Sequence, residues 1–189
     1  MGQPGKLKVT GFLAVGRAGL FQDANALALA TGEPADINAV RTHYNARPGV
    51  SLNLEQQVTP ELGIFARAGW ADGTVEPWDF TDIDGAVQAG VSFSGKQWGR
   101  PDDRVGIAGI LNNIAGVHQE FFNLGGLGIL IGDGALPNPG LEKIIEAYYS
   151  YSVTASTKLT LDYSFIDNPG YNTDRGPANV FTGRVHWQF

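Results

Sequence analysis

The sequence has no cysteine, so neither a disulfide framework nor a thiolate metal site is open to it. It has no basic run and a formal net charge of -6, which argues against a nucleic-acid partner. No uninterrupted apolar stretch approaches the ~20 residues that a membrane-spanning helix requires. The opening MGQPGKLKVT lacks the apolar segment of a signal peptide. No H-E-x-x-H or G-x-S-x-G motif occurs, and His43, His118 and His186 are far apart in the chain. The carboxylate pairs Asp82/Asp84 and Asp102/Asp103 fall in expected turns, where nothing fixes the separation that glycoside hydrolysis demands. These absences argue against an enzyme, and no metal or cofactor is expected. A transmembrane barrel escapes all of these tests, because its strands need only ~9–11 residues each and alternate apolar with polar.

What is present fits strands. Charged residues make up only 17% of the chain against 26 glycines and 11% aromatics, a balance that suits many short strands and turns better than long helices. The final VFTGRVHWQF places Phe181, Gly183, Val185, Trp187 and Phe189 on one face and Thr182, Arg184, His186 and Gln188 on the other. TKLTLDYSFID sets Leu159, Leu161, Tyr163 and Phe165 against Lys158, Thr160, Asp162 and Ser164. EAYYSYSV, LGIFARAGW and VSLNLEQQV alternate likewise, and KLKVTGFLAVG, GAVQAGVSFSG and DRVGIAGILN are weaker versions, giving about eight strands. LEKIIEAYY also fits helical spacing, but Tyr148, Tyr149, Tyr151 and Val153 favour a strand. The stretch ANALALAT, Ala24 to Thr31, is the expected short helix.

The connections alternate long and short. Long ones are expected over residues 17–48 and 113–140 of a single domain, 1–189, and tight ones at TPE and TAST. Up-and-down antiparallel strands of an outer-membrane barrel produce this alternation, with short periplasmic turns and longer extracellular loops. A soluble ligand-binding barrel has the same period of two, with the apolar face turned inward. The scarcity of lysine and glutamate on the wet faces favours lipid outside, as do aromatics gathered near strand ends: Trp70, Tyr149, Tyr151, Trp187 and Phe189. The expected fold is therefore all-β, an antiparallel up-and-down transmembrane β-barrel.

Several stretches in order, LNLEQQVTPELGIFARAGWADG, FTDIDGAVQAGVSFSGKQWGRPDDRVGIA, GGLGILIGDG, LEKIIEAYYSYSV, LTLDYSFIDNPGYNTDRGP and RVHWQF, carry a more specific likeness. The chain resembles the C-terminal half of a carbohydrate-selective outer-membrane porin of the OprB type. That resemblance implies a bacterial outer-membrane location and passive diffusion of small sugars through a barrel of about sixteen strands with a water-filled lumen. It also implies partners: outer-membrane lipid, sugars, further copies in a homo-oligomer, and the barrel-assembly machinery, which would recognise the terminal aromatic strand. With about eight strands counted, the chain is expected to be part of a larger barrel. A small non-conducting outer-membrane barrel is the alternative.

A neutral sugar both donates and accepts hydrogen bonds, so a selective lumen needs carboxylates and guanidinium groups in weak, repeated contacts. The wet-face candidates for lining the pore are Glu55, Arg67, Glu146, Asp162 and Arg184, with Asn53, Tyr148 and Lys158 as secondary members. The stretch GGLGILIGDG fails the dinucleotide-binding pattern because Ile131 stands at the third glycine position, and a loop folding toward the pore mouth is expected instead. NPGYNTDRGP is expected to be a rigid connector with Asp174 and Arg175 paired locally, and WGRPDD a periplasmic turn.

Overall fold

The computed structural model describes residues 2–78, 81–129 and 131–189. Eight antiparallel strands run in sequence order through one sheet: β1 (Gly5–Gly16), β2 (Asn45–Gln57), β3 (Leu62–Ala71), β4 (Gly85–Gly95), β5 (Arg100–Asn113), β6 (Glu142–Thr154), β7 (Thr157–Asp167) and β8 (Ala178–Trp187). Each pairs with its chain neighbours only, so β1 and β8 are open edges among the described residues. The strands have 10 to 14 residues, enough to cross a bilayer when tilted. The segment with mixed periodicity is β6, as its β-branched and aromatic residues favour.

Alternation has a definite consequence here. Leu7, Val9, Leu13, Leu52, Leu54, Ile64, Val87, Ile107, Leu161, Phe181 and Val185 share one face, and all are exposed, Val9 at 65%, Leu161 at 74% and Phe181 at 80%. The opposite, polar face is where the connections fold. By strand parity Gly16, Arg47, Asn112 and Glu142 belong to it, at the end bearing the long connections. Arg47 and Asn112 are buried there, and the Trp78 ring lies against Gly16. A soluble barrel would put the cover on its apolar face; this chain does the reverse.

The long connections, 17–44, 72–84 and 114–141, join with 168–177 into a cap. Helix α1 (Phe21–Thr31) realises the expected helix with three added residues, and α2 (Gly116–Asn123) packs beside it. Leu20 offers no side-chain cap to α1, and the exposed backbone donor of Phe21 is met by Thr74 O at 3.0 Å. Gly32 ends the helix in the left-handed region, its N–H reaching Ala28 O. Phe21, Ala24, Ala28, Ile37, Ile114, Phe121, Phe122, Leu136 and Tyr171 form the cap's core. Among the described residues, every buried apolar side chain other than Ala71, the last residue of β3, lies in the connections.

Three local expectations need correction. β2 begins at Asn45, inside the stretch expected to be loop through residue 48, because its pairing with β1 continues to Gly16. Pro48 is tolerated there since β3 has ended beside it, and its carbonyl still accepts from Asp72 N at 2.9 Å. The expected turn WGRPDD is mostly strand. The turn proper is Lys96–Trp98, closed by Gly99 at φ 76°, and β5 starts at Arg100, so Asp102 and Asp103 are not turn residues. Asp103 is 1% exposed and accepts from Arg100 Nε at 2.5 Å, Tyr149 Oη at 2.5 Å and Ser152 N at 2.8 Å. Nor do Asp174 and Arg175 pair with each other: Asp174 accepts from Asn138 Nδ2, and Arg175 pairs with Asp133 across the cap.

Candidate lumen face and its mouth

Strand register gathers most of the expected pore-lining residues into two groups on the polar face. On β2 and β3, Asn53 stands opposite Arg67. Arg67 Nε donates to Asn53 Oδ1 at 3.4 Å, Asn53 Nδ2 donates to Glu55 Oε1 at 3.3 Å, and the Arg67 and Glu55 charges are 3.9 Å apart. Arg67 and Glu55 are exposed and Asn53 is half-buried, so the pairing is loose and the polar atoms retain capacity for another partner. On β1, Lys6 and Lys8 flank the same group opposite Glu55 and Asn53.

The second group occupies a hollow of about 310 Å³ on β5 to β8, lined by Arg104, Glu146, Tyr148, Ser150, Thr160, Asp162, Thr182 and Arg184. Tyr148 stands opposite Asp162, and Thr160 opposite Arg184. Two carboxylates and two guanidinium groups thus share one wall with four hydroxyl side chains, a set able to accept from and donate to a polyol. Lys158 lies apart, opposite Ser152 and His186 at the short-turn end. Arg104 is the charged member absent from the expected set, which also lacks the hydroxyl residues Ser150, Thr160 and Thr182. The parity of Arg104 with Gly106, Ala108 and Asn112 in β5, opposite to Val105, Ile107 and Leu111, was the available signal.

The aromatics divide between the two ends of the apolar face. Trp70 is exposed at the long-connection end of β3. At the other end Tyr149, held by Asp103, sits with Trp98, whose Nε1 lies 3.3 Å from Tyr149 Oη, and with Tyr151, whose ring has the Arg100 guanidinium 3.9 Å from its centre. Trp187 and Phe189 are exposed at that end too, their rings 5.4 Å apart.

Above the lumen face, the cap is fastened by buried charge. Arg47 reaches up from β2 to donate to Asp84 Oδ1 at 2.9 Å, Asp72 O at 3.0 Å and Ile83 O at 3.3 Å. Asp84 Oδ2 accepts from Ala115 N at 2.8 Å and lies 3.0 Å from His118 Nδ1. His118 is 0% exposed, stacks on Phe21 with ring centres 4.0 Å apart, and has Nε2 3.5 Å from Asp82 Oδ1. Burial works against the imidazolium, but Asp82 and Asp84 outweigh it, and the His118 pKa is raised above its ordinary value. Burial likewise pushes Asp84 up, but His118, the Ala115 N–H and Arg47 outweigh it and leave its pKa lowered. Tyr171 donates to Asp82 O at 2.6 Å, and the Glu76 carboxylate takes Gly19 N and Arg41. His118 and the two aspartates are separated by over thirty residues and meet only through the topology. Sealed from solvent at the imidazole and tied to Arg47, this group fastens loops and offers no surface for chemistry.

The site is thus an open sheet with an exposed apolar face, a charged opposite face and connections folded over one end. No curated protein matches the chain. Among solved structures, a high-pH structure of Pseudomonas putida OprB is similar to it at 22% identity with a TM-score of 0.77, over 99% of this chain and 45% of that one. The chain therefore spans less than half the length of that protein, and at this identity the likeness concerns the fold. The model of the carbohydrate-selective porin family, OprB, matches residues 2–189. On that match, which leaves out only the first residue, the chain belongs to the OprB family of carbohydrate-selective porins.

Proposed function

We propose that this chain forms part of the wall, and the capped mouth, of a bacterial outer-membrane channel through which small carbohydrates diffuse passively. The observation that carries the reading is the asymmetry of the sheet: its apolar face is bare, and its connections fold over one end of the polar face, which carries two charged groups. A bare apolar face of this extent belongs against lipid. Eight strands closed on themselves leave an interior that side chains fill. The lumen is accordingly that of a barrel of about sixteen strands, to which this chain contributes eight, in keeping with its coverage of 45% of Pseudomonas putida OprB. The 17–44, 72–84, 114–141 and 168–177 connections face outside and the short turns face the periplasm. Trp70 marks one membrane interface, and Tyr149, Tyr151, Trp187 and Phe189 the other. The exposed terminal strand is the handle for the barrel-assembly machinery, and completed barrels associate as homo-oligomers.

Glu55, Arg67, Glu146, Asp162 and Arg184, with Asn53, Tyr148 and Lys158, are the residues that passing sugars meet. The test is single-channel conductance of the refolded chain in a planar bilayer, with and without glucose or maltose. Conductance that falls as sugar is added supports the reading, and replacing Arg67 and Glu55 by Ala should weaken the block. Block unchanged in both variants removes those two residues from the lining. Insertion of a closed, protease-resistant monomer without conductance favours a small non-conducting barrel instead.

A further inference from the structure

The polar face of the eight strands carries three aromatic rings, and each stands opposite a glycine: Phe12 opposite Gly49, Phe65 opposite Gly90, and Tyr148 opposite Gly106. In each pair the ring lies across the neighbouring strand, over the space that a side chain would fill. A Cβ on Gly90 would come 2.6 Å from both Phe65 Cε1 and the Ile107 carbonyl oxygen of β5, and one on Gly49 or Gly106 would overlap Phe12 or Tyr148 outright. Any larger residue at these positions would lift the ring from the wall. Glycine weakens a strand, so its placement opposite all three rings calls for a reason in what the rings do. Two of the rings, Phe65 and Tyr148, also line hollows that hold charged groups. Phe65 shares one with Glu55, Arg67, Ser92 and Arg104, and Tyr148 shares the other with Arg104, Glu146, Asp162 and Arg184.

Resting on the sugar-diffusion reading, we propose that Phe65 and Tyr148 are stacking platforms for the C–H face of a pyranose ring, each laid flat by its glycine, Gly90 or Gly106. A pyranose is amphipathic: its hydroxyls radiate around the rim while the C–H bonds of one face form an apolar patch. A ring flat against the wall offers that patch an aromatic face and places the sugar's rim level with the flanking carboxylates and guanidinium groups. At Phe65 the Arg67 guanidinium lies 5.1 Å from the ring centre, so an arriving sugar shares the exposed face with it. Three strand spacings and about two residues of height separate the platforms, roughly 16 Å, so they act as successive stations. The selectivity that follows is for cyclic over open-chain polyols.

The experiment uses the chain folded in deuterated detergent micelles. Its aromatic protons are irradiated selectively, and magnetisation transfer is read on the C–H protons of glucose and, separately, of sorbitol, which has similar hydroxyls and no ring face. Transfer is expected to glucose, concentrated on one face, and not to sorbitol. Phe65→Leu and Tyr148→Leu, which keep an apolar cover on the glycine, should each lower glucose affinity by about two- to tenfold, and together abolish the transfer. Gly106→Ala, whose added Cβ has Tyr148 side-chain atoms as its three nearest neighbours, keeps the phenol and tilts it, so a loss in that variant attributes the effect to ring orientation. Transfer that persists in the double leucine variant, or is equal for sorbitol, overturns the platforms. Sugar block of conductance that survives the double variant overturns them while leaving sugar diffusion standing; no binding or block by any sugar overturns both.

Discussion

In the wall, each strand lies beside its sequence neighbour and almost no side chain is buried; in the cap, four connections drawn from along the chain enclose Phe21, Phe121, Phe122 and Tyr171 around a charged network. The wall depends on backbone ladders and on a lipid solvent for its apolar face. The cap has the interior of a small soluble domain, with close-packed rings and paired buried charges. Conditions that act on one therefore need not act on the other, and the two should separate experimentally.

The largest effects should come from the cap. Replacing Phe121, 2% exposed, by Ala removes a buried ring beside Phe21 and Phe122 and should cost about 3–5 kcal/mol. Amide exchange should rise across α1 and α2 with the strands still protected; loss of protection in both would mean that wall and cap are one cooperative unit. Asp84→Ala leaves Arg47 and His118 buried without their shared carboxylate and should cost about 3–5 kcal/mol, again confined to the cap.

The wall is probed from its other face. Leu161→Arg puts a charge at the centre of the exposed apolar face and should lower folding stability in a bilayer by about 2–4 kcal/mol, whereas Thr182→Arg on the polar face should change it little. Urea titration of refolding into vesicles reads both, and equal effects would contradict the assignment of faces.

A smaller effect distinguishes the regions by pH. The His118 pKa is raised in the folded state, so its contribution is fully present below the unfolded value of about 6.5 and is lost as pH rises through the folded one. The Asp84 pKa is lowered, so its contribution is present above about 3.9 and is lost as pH falls through the folded value. Cap protection should be greatest between these limits and loosen on either side, and His118→Gln should remove the alkaline limb. An alkaline limb that survives in that variant assigns the effect elsewhere. Arg175→Ala, which opens a half-exposed pair with Asp133, should cost less than about 1 kcal/mol by the same exchange measurement.

The same division governs what could be read in advance. Period-two alternation marked all eight strands, because each residue's face depends only on its parity, and the place of Glu55, Arg67, Glu146, Asp162 and Arg184 on the polar face follows from it. Helix α1 was legible in an alanine- and leucine-rich stretch ending at Gly32. The start of β5 was not, because Pro101 and two aspartates have turn chemistry locally, while the contacts that keep Asp103 in the sheet come from Tyr149 and Ser152, nearly fifty residues away. The network of Arg47, Asp84 and His118 was equally hidden. It is assembled from one strand and two connections, and no spacing within any one of them announces it. The glycine beneath Phe65 shows the same limit, since cross-strand register alone makes Gly90 its partner.

The bonds between connections also order events in time. Asn25 reaches Val117 across 92 positions, Tyr171 reaches Asp82 across 89, and Gly19 reaches Glu76 across 57. Such contacts carry a heavy loop-closure entropy until the strands beneath them have paired, and almost none afterwards. The cap is thus a late-closing element whose formation reports that strands from β1 to β7 already stand in register. By the same reasoning it is the first element to open as the fold is lost, ahead of the ladders beneath it.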